Sequence, residues 1–416
     1  MQNYLRVRRF LYIFACGLLI QSPLPVNTAT HESRIAKYPA FCQRNQSSPN
    51  FLVVGGGGAP SYNEIALEKN VLYFQRVLRT LGYKPEKDAS IFFANGNDGQ
   101  ATVRYIDNQQ QQQFKAPEIP NLKGAATLNN LQRYFQQAVR QNSSRPLFFY
   151  FTGHGGKNKQ DLNNNSLYLW NEQQLSVKQL AQMLDQMPQQ TPVVAMMAQC
   201  FSGSFANFIY KSGDPKNPVA LQTRCGFFAT VSTLPSVGCT PEVNEADYRD
   251  YSSSFFAGLS GRDRTGKTVV SADYNKDGQV SYTEAHAFAK VDEQSIDLPI
   301  STSEAWLQSK SEQRQEAILS QPISQLVQTA RPEQRYVVSS LSKMFDFDGQ
   351  NSFLKNVQAL DTSKYGTEEQ QAYLKRLKME LINIGREKQI RASRNQKDIA
   401  ALERLVKCES GTWSKP

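Results

Sequence analysis

Histidine is nearly absent from this 416-residue chain; it occurs three times, at positions 31, 154 and 286. Imidazole is the side chain that changes charge nearest neutral pH, so general-base chemistry has few places to sit. Long apolar runs are missing too: the stretch 10–20 is too short to span a bilayer, and nothing later in the chain exceeds it. No zinc-finger spacing, RNA-binding aromatic motif or basic heptad helix accompanies the formal net charge of +10. With basic residues scattered among acids, nucleic acid is excluded as a partner and the charge reads as a solvated surface. The run GGGGAP at 55–60 lacks the third glycine of a dinucleotide fingerprint, Pro60 standing in its place, and reads instead as a tight turn into a helix.

What is present centres on PLFFYFTGHGG at 146–156. The unbroken apolar run 147–151 predicts a strand buried on both faces, and Gly153, Gly155 and Gly156 force a turn that carries His154. The pattern returns at VVAMMA, 193–198, followed by Gln199, Cys200, Phe201, Ser202 and Gly203. Two parallel strands ending at one edge would bring imidazole and thiol together, and a base beside a thiol generates the reactive thiolate. Of the other histidines, His31 falls at the end of a leader and His286 follows a calcium-type loop.

Strands at 51–54, 90–94 and 226–232 alternate with helices at 62–81, 128–139, 177–187 and 253–259, with a short strand or hairpin arm at 167–170. A polar, mobile loop is expected at 109–113. This alternation predicts an α/β fold with a mostly parallel central sheet and helices on both faces, where sites form beyond the carboxyl ends of strands. From about 301 the composition shifts to long polar helical stretches, at 311–326, 333–345, 368–384 and 395–406. The expected organisation is a leader over 1–29, an α/β domain over 30–300, and a helical carboxyl-terminal region over 301–416.

The leader has Arg6, Arg8 and Arg9 before its apolar core and small residues near Ala29, the pattern of a secretory signal, and predicts export to the periplasm or medium. Twin-arginine and lipoprotein variants fit poorly. In an oxidising compartment, setting aside Cys16 and Cys200 leaves Cys42, Cys225, Cys239 and Cys408 to pair. Three connectivities exist; the expected one joins Cys225 to Cys239 and Cys42 to Cys408. A second site stands at 273–284: Asp273, Asn275, Asp277, Gln279, Ser281 and Glu284 occupy positions 1, 3, 5, 7, 9 and 12 of an EF-hand loop, with Gly278 at 6. It predicts a structural calcium ion. The run 346–349 starts similarly but has Val357 where the acid should be.

The strand, His-Gly, strand, Cys, Ser-Gly order over roughly 50–300 resembles the cysteine peptidases of the caspase, legumain and gingipain clan, most of all bacterial legumain-like and caspase-like members. The resemblance implies a caspase-like sandwich and an endopeptidase acting on proteins or peptides. Cys200 would attack the scissile carbonyl, His154 would protonate the leaving amine, and the N–H groups of Gly155 and Cys200 would form the oxyanion hole. Ser232, Thr233 and the loop through Glu242 would line the cleft. Many relatives carry an acid or Gln two places before the cysteine; here Ala198 stands there, which leaves substrate preference open and keeps a catalytically silent binding module as the alternative. A calcium-dependent surface-binding protein is a third reading. Legumain-like enzymes also carry a helical pro-segment, which implies that 301–416 restrains the active site.

Overall fold

The structure, a computed structural model, describes residues 48–310, 315–361 and 365–413. The leader, His31, Cys16 and Cys42 lie outside the described residues. Residues 45–416 form one compact unit.

Twelve strands occur in chain order: β1 Asn50–Gly56, β2 Ala89–Phe93, β3 Val103–Ile106, β4 Gln112–Lys115, β5 Leu122–Gly124, β6 Leu147–Gly153, β7 Gly155–Gly156, β8 Ser166–Leu169, β9 Gln173–Ser176, β10 Val193–Ala198, β11 Arg224–Phe228 and β12 Ile300–Ser301. Seven make the central sheet in the order β12-β11-β10-β6-β1-β2-β5. All its pairings are parallel except β11 with β12. Every residue of β6 is buried, as its unbroken apolar run requires of a strand covered on both faces. Alternate side chains feed two cores: Phe51, Val53, Phe148 and Tyr150 point to one, Leu52, Val54, Phe149 and Phe151 to the other.

The helices are α1 Ile65–Thr80, α2 Pro85–Asp88, α3 Leu128–Gln141, α4 Val177–Asp185, α5 Tyr251–Ser260, α6 Tyr282–Asp292, α7 Thr302–Gln308, α8 Gln315–Leu319, α9 Ile323–Val327, α10 Pro332–Met344, α11 Phe353–Ala359, α12 Glu368–Arg391 and α13 Gln396–Glu409. Apolar faces of α1, α5 and α6 fill the first core; α3, α4, α7 and α13 fill the second. The chain is therefore the expected α/β sandwich. The stretch expected as a loose polar loop at 109–113 is instead the tip and return strand of the β3–β4 hairpin, its turn held by the Asp107 carboxylate accepting from the N–H groups of Gln109 and Gln111 at 2.9 Å.

The carboxyl-terminal helices are tied to the α/β core by buried charge. Lys290 on α6 bridges Glu304 on α7 and Glu380 on α12, and His286 meets Glu304 at 3.1 Å. Burial, with Lys290 beside it, pushes His286 down to about 4, so it stands neutral. Arg376 of α12 is buried and donates to the carbonyls of Asp297 (2.8 Å), Lys290 (3.1 Å), Glu293 (2.8 Å) and Ser295 (2.9 Å). Glu409 is fully enclosed and accepts from Ser301, Thr302 and Ser303 at the start of α7. After α13 has contributed Leu402 and Leu405 to the second core, the tail delivers Trp413 to the first, edge-on to Phe51 (4.8 Å) and Phe148 (5.0 Å).

The disulfide is Cys225–Cys408, with Cα atoms 6.0 Å apart. It corrects the expected Cys225–Cys239 and Cys42–Cys408 pairings. Cys225 is the second residue of β11 and faces the first core, whereas Cys239 lies past the far end of that strand beside Gly153. At roughly 3.3 Å per strand residue, the remaining length of β11 alone puts Cys239 out of bonding range.

Candidate active site

The turns after β6 and β10 lie side by side because the two strands are neighbours in register, Ala198 opposite Thr152. Two residues further along, the same register brings position 200 level with 154. Gly155 is required there: a Cβ at that position would sit 2.0 Å from the Cys200 carbonyl oxygen, so only glycine lets the two backbones approach. Phe201, just after the cysteine, adopts the left-handed conformation (φ 59°, ψ 19°), a costly state for an aromatic residue that turns the chain sharply under Cys200. Asn165 fastens these turns to the segment after β11: its Nδ2 donates to the Phe201 carbonyl at 3.4 Å and the Ser232 carbonyl at 2.9 Å, while its Oδ1 accepts from the Asn158 N–H at 2.9 Å.

Each proposed catalytic group has a partner of its own. His154 Nε2 lies 2.9 Å from Glu64 Oε2, and Tyr62 stands edge-on to the imidazole at 5.3 Å. Glu64 is buried just before α1 and also pairs with Arg104 at 2.6 Å. Burial alone would raise its carboxyl, but the bonds from His154 and Arg104 outweigh that and hold it below its ordinary range. An ionised Glu64 accepts from Nε2–H, which leaves Nδ1 as the imidazole's free acceptor. Cys200 Sγ accepts from the Ser236 N–H at 3.3 Å and points its own hydrogen at the Ser236 carbonyl, 3.5 Å away. Burial pushes its thiol up, and the Asp297 charge adds to this. Among the described residues no hydrogen bond joins His154 to Cys200.

Ser236 is itself held from below. Its hydroxyl donates to Asp297 Oδ2 at 2.5 Å, the Val237 N–H donates to Asp297 Oδ1 at 3.1 Å, and Arg376 grips the Asp297 carbonyl. Burial raises the Asp297 carboxyl to about 6. The segment expected to line the cleft, 232–242, is thus the wall against which Cys200 rests. Three residues around His154 and Cys200 carried no sequence signal of their own, Glu64, Asn165 and Asp297, and Cys239 was expected only as a disulfide partner. Single polar residues outside any repeat or strand run announce nothing until a turn brings them together. Glu64, His154 and Cys239 converge, with one ligand atom from each lying within 4.8 Å of the others.

In the loop 273–284, residues 275–279 are exposed while Glu284 at its end is buried. Asp273 accepts from the N–H groups of Asp277 (3.1 Å) and Gly278 (2.9 Å), with Gly278 at φ 88°. Glu284 reaches back to the N–H groups of Tyr274 (2.9 Å) and Asn275 (3.1 Å) and caps α6 together with Ser281. These hard oxygen donors suit calcium, and the turn chemistry fits an EF-type loop. Asp273, Asp277 and Glu284 do not converge as closely as the Glu64, His154 and Cys239 trio does. The stretch 268–271 before the loop forms only an isolated bridge, Arg262 to Thr268.

Residues 109–214, which hold both His154 and Cys200, match the model of the Peptidase C13 family. No curated protein matches the chain significantly. Among solved structures, the chain is similar to caspase-1 from Spodoptera frugiperda at 11% identity and a TM-score of 0.36, over 62% of this chain and 86% of that one. It is similar to a protein from Geobacter sulfurreducens at 12% identity and a TM-score of 0.37, over 61% and 92%. The match covers about a quarter of the chain, the part that carries both turns. Among the described residues no helix is long and apolar enough to cross a membrane.

Proposed function

We propose that this chain is an exported cysteine endopeptidase in which Cys200 is the nucleophile and His154 carries the proton. One observation supports the assignment most: imidazole and thiol stand on adjacent turns at the carboxyl edge of the sheet, with Gly155 letting the two backbones touch. Since burial favours the neutral thiol, the proton leaves Cys200 as Sγ closes on the scissile carbonyl, and Nδ1 of His154 receives it. The N–H groups of Gly155 and Cys200 stabilise the tetrahedral oxyanion. His154 then returns the proton to the leaving amine, the thioester remains on Cys200, and water completes hydrolysis. Glu64 fixes the imidazole's tautomer throughout.

Calcium on Asp273, Asn275, Asp277, Gln279, Ser281 and Glu284 would supply a structural clamp between the 273–284 loop and α6. The deciding experiment is digestion of a diverse peptide library with calcium and reductant, comparing wild type with Cys200→Ala by mass spectrometry. Cuts present in wild type and absent from the variant support the reading. Identical silence in both would favour the alternative, a binding module on the same fold, to which the missing thiol–imidazole bond already lends some weight.

A further inference from the structure

We propose that Glu64, His154 and Cys239 form a binding site for a borderline-soft divalent cation of the zinc type, and that a bound ion switches the active site off. The binding rests on geometry alone; the inhibition rests on the peptidase reading.

Three donors of different chemistry converge here: a carboxylate oxygen, an imidazole nitrogen and a thiol sulfur, all within 4.8 Å of one another. Zinc takes such ligands at about 2.0–2.3 Å in a tetrahedron, which sets ligand-to-ligand separations of about 3.3–3.6 Å. The trio lies within 4.8 Å, so a bound ion must draw the Cys239 sulfur in by no more than about 1.5 Å and open the 2.9 Å pair of Glu64 and His154 by roughly 0.4 Å. Cys239 is free in the structure, and its sulfur otherwise has just a long contact to the Gly153 carbonyl at 3.9 Å. A nitrogen, sulfur and oxygen set is wrong for calcium or magnesium and suited to zinc, cobalt or copper. Three protein ligands leave a fourth position open to solvent or anion.

On binding, Cys239 releases its thiol proton to solvent, His154 binds through Nε2 as the neutral imidazole with its proton moved to Nδ1, and Glu64 exchanges its bond to His154 for one to the metal. An imidazole held by a cation, and uncoupled from Glu64, no longer carries the proton between Cys200 and the leaving amine. Cys239 thereby acquires a role distinct from both the nucleophile and the Cys225–Cys408 disulfide.

The test uses the full mature chain as Cys200→Ala, so that the nucleophile contributes no ligand, in excess calcium to saturate the oxygen-ligand loop. Cobalt(II) is titrated in and thiolate-to-cobalt charge transfer is read by absorption, followed by displacement with zinc. We expect one equivalent with a charge-transfer band, and roughly 100-fold weaker zinc binding or worse when Cys239→Ser is added. Glu64→Gln, which keeps a hydrogen-bonding group beside His154, should weaken binding by about tenfold or more and serves if the cysteine variant misfolds. No band in Cys200→Ala, or an undiminished band after Cys239→Ser, overturns the site. In otherwise wild-type protein, zinc should abolish peptide cleavage reversibly to chelator, and Cys239→Ser should blunt that sensitivity; undiminished sensitivity would overturn the proposed switch. Cobalt binding without any peptidase activity would leave the metal site standing and sink the peptidase reading. Cleavage without cobalt binding would do the reverse.

Discussion

The carboxyl edge of the sheet and the carboxyl-terminal helices are built in opposite ways. At the edge, short turns carry His154 and Cys200, a missing Cβ at Gly155 sets their approach, one hydrogen bond to Glu64 holds the imidazole, and the backbone of Ser236 alone holds the thiol. The helical region instead holds costly buried polar groups: Arg376 satisfied by carbonyls, Glu304 and Glu380 paired with Lys290 of α6, Glu409 enclosed by hydroxyls. Buried charges of this kind cost several kcal/mol each to desolvate and are strongly destabilising when one partner is lost. The path Arg376–Asp297–Ser236–Cys200 is one place where the two regions meet.

The most severe way to break that contrast is to delete 301–416. A removable pro-segment would leave a folded and more active remainder. The packing of Trp413 and Glu409 instead predicts loss of the folded state, read as absence of a cooperative transition by circular dichroism; a soluble, hyperactive fragment would sink this account. Trp413→Ala is the graded version, expected to cost about 3–5 kcal/mol in denaturant unfolding. At the edge, the rate of Cys200 alkylation by iodoacetamide should climb about tenfold per pH unit through neutrality and beyond, because burial holds the thiol protonated. A plateau from pH 6 upward would instead indicate a preformed thiolate–imidazolium pair.

Glu409 tests the helices with a proton. Burial raises its carboxyl to about 7 in the folded chain. The native state therefore binds more protons than the unfolded one, and this stabilisation, complete below the unfolded value, is lost as pH rises through 7. Unfolding free energy should fall by about 1–3 kcal/mol between about pH 5 and pH 8, and Glu409→Gln should flatten the slope. The smallest effect belongs to calcium: chelation should lower the melting temperature by a few degrees, about 1 kcal/mol, through loosening of the 273–284 loop. An unchanged melt, with no terbium luminescence on titration, would remove the ion from the account.

Legibility followed sequence locality. The runs 147–151 and 193–198 are uniformly apolar because both faces of those strands are covered, so they and the residues just past them stood out without a structure. The α/β alternation was readable for the same reason, and the contiguous motif at 273–284 suggested its loop directly. Glu64 reaches His154 across ninety positions and Asp297 reaches Ser236 across sixty-one, with no pattern at either end. Cysteine parity could not choose among pairings, because which thiols meet depends on where β11 ends relative to α13. The helices at Thr302–Gln308 and Phe353–Ala359 have seven residues each, too few for a helical period to show in the sequence.

Trp413 has a consequence for how the molecule comes into being. Its ring completes an aromatic cluster whose other members include Phe51, Phe74 and Phe148, near the opposite end of the chain. A ribosome delivers β1 long before α13, so the first core stays incomplete until Trp413 emerges. Contacts of such sequence separation are the slowest to form and leave sticky intermediates exposed meanwhile. The nascent protein is thus held back from its finished form until Trp413 has joined the cluster.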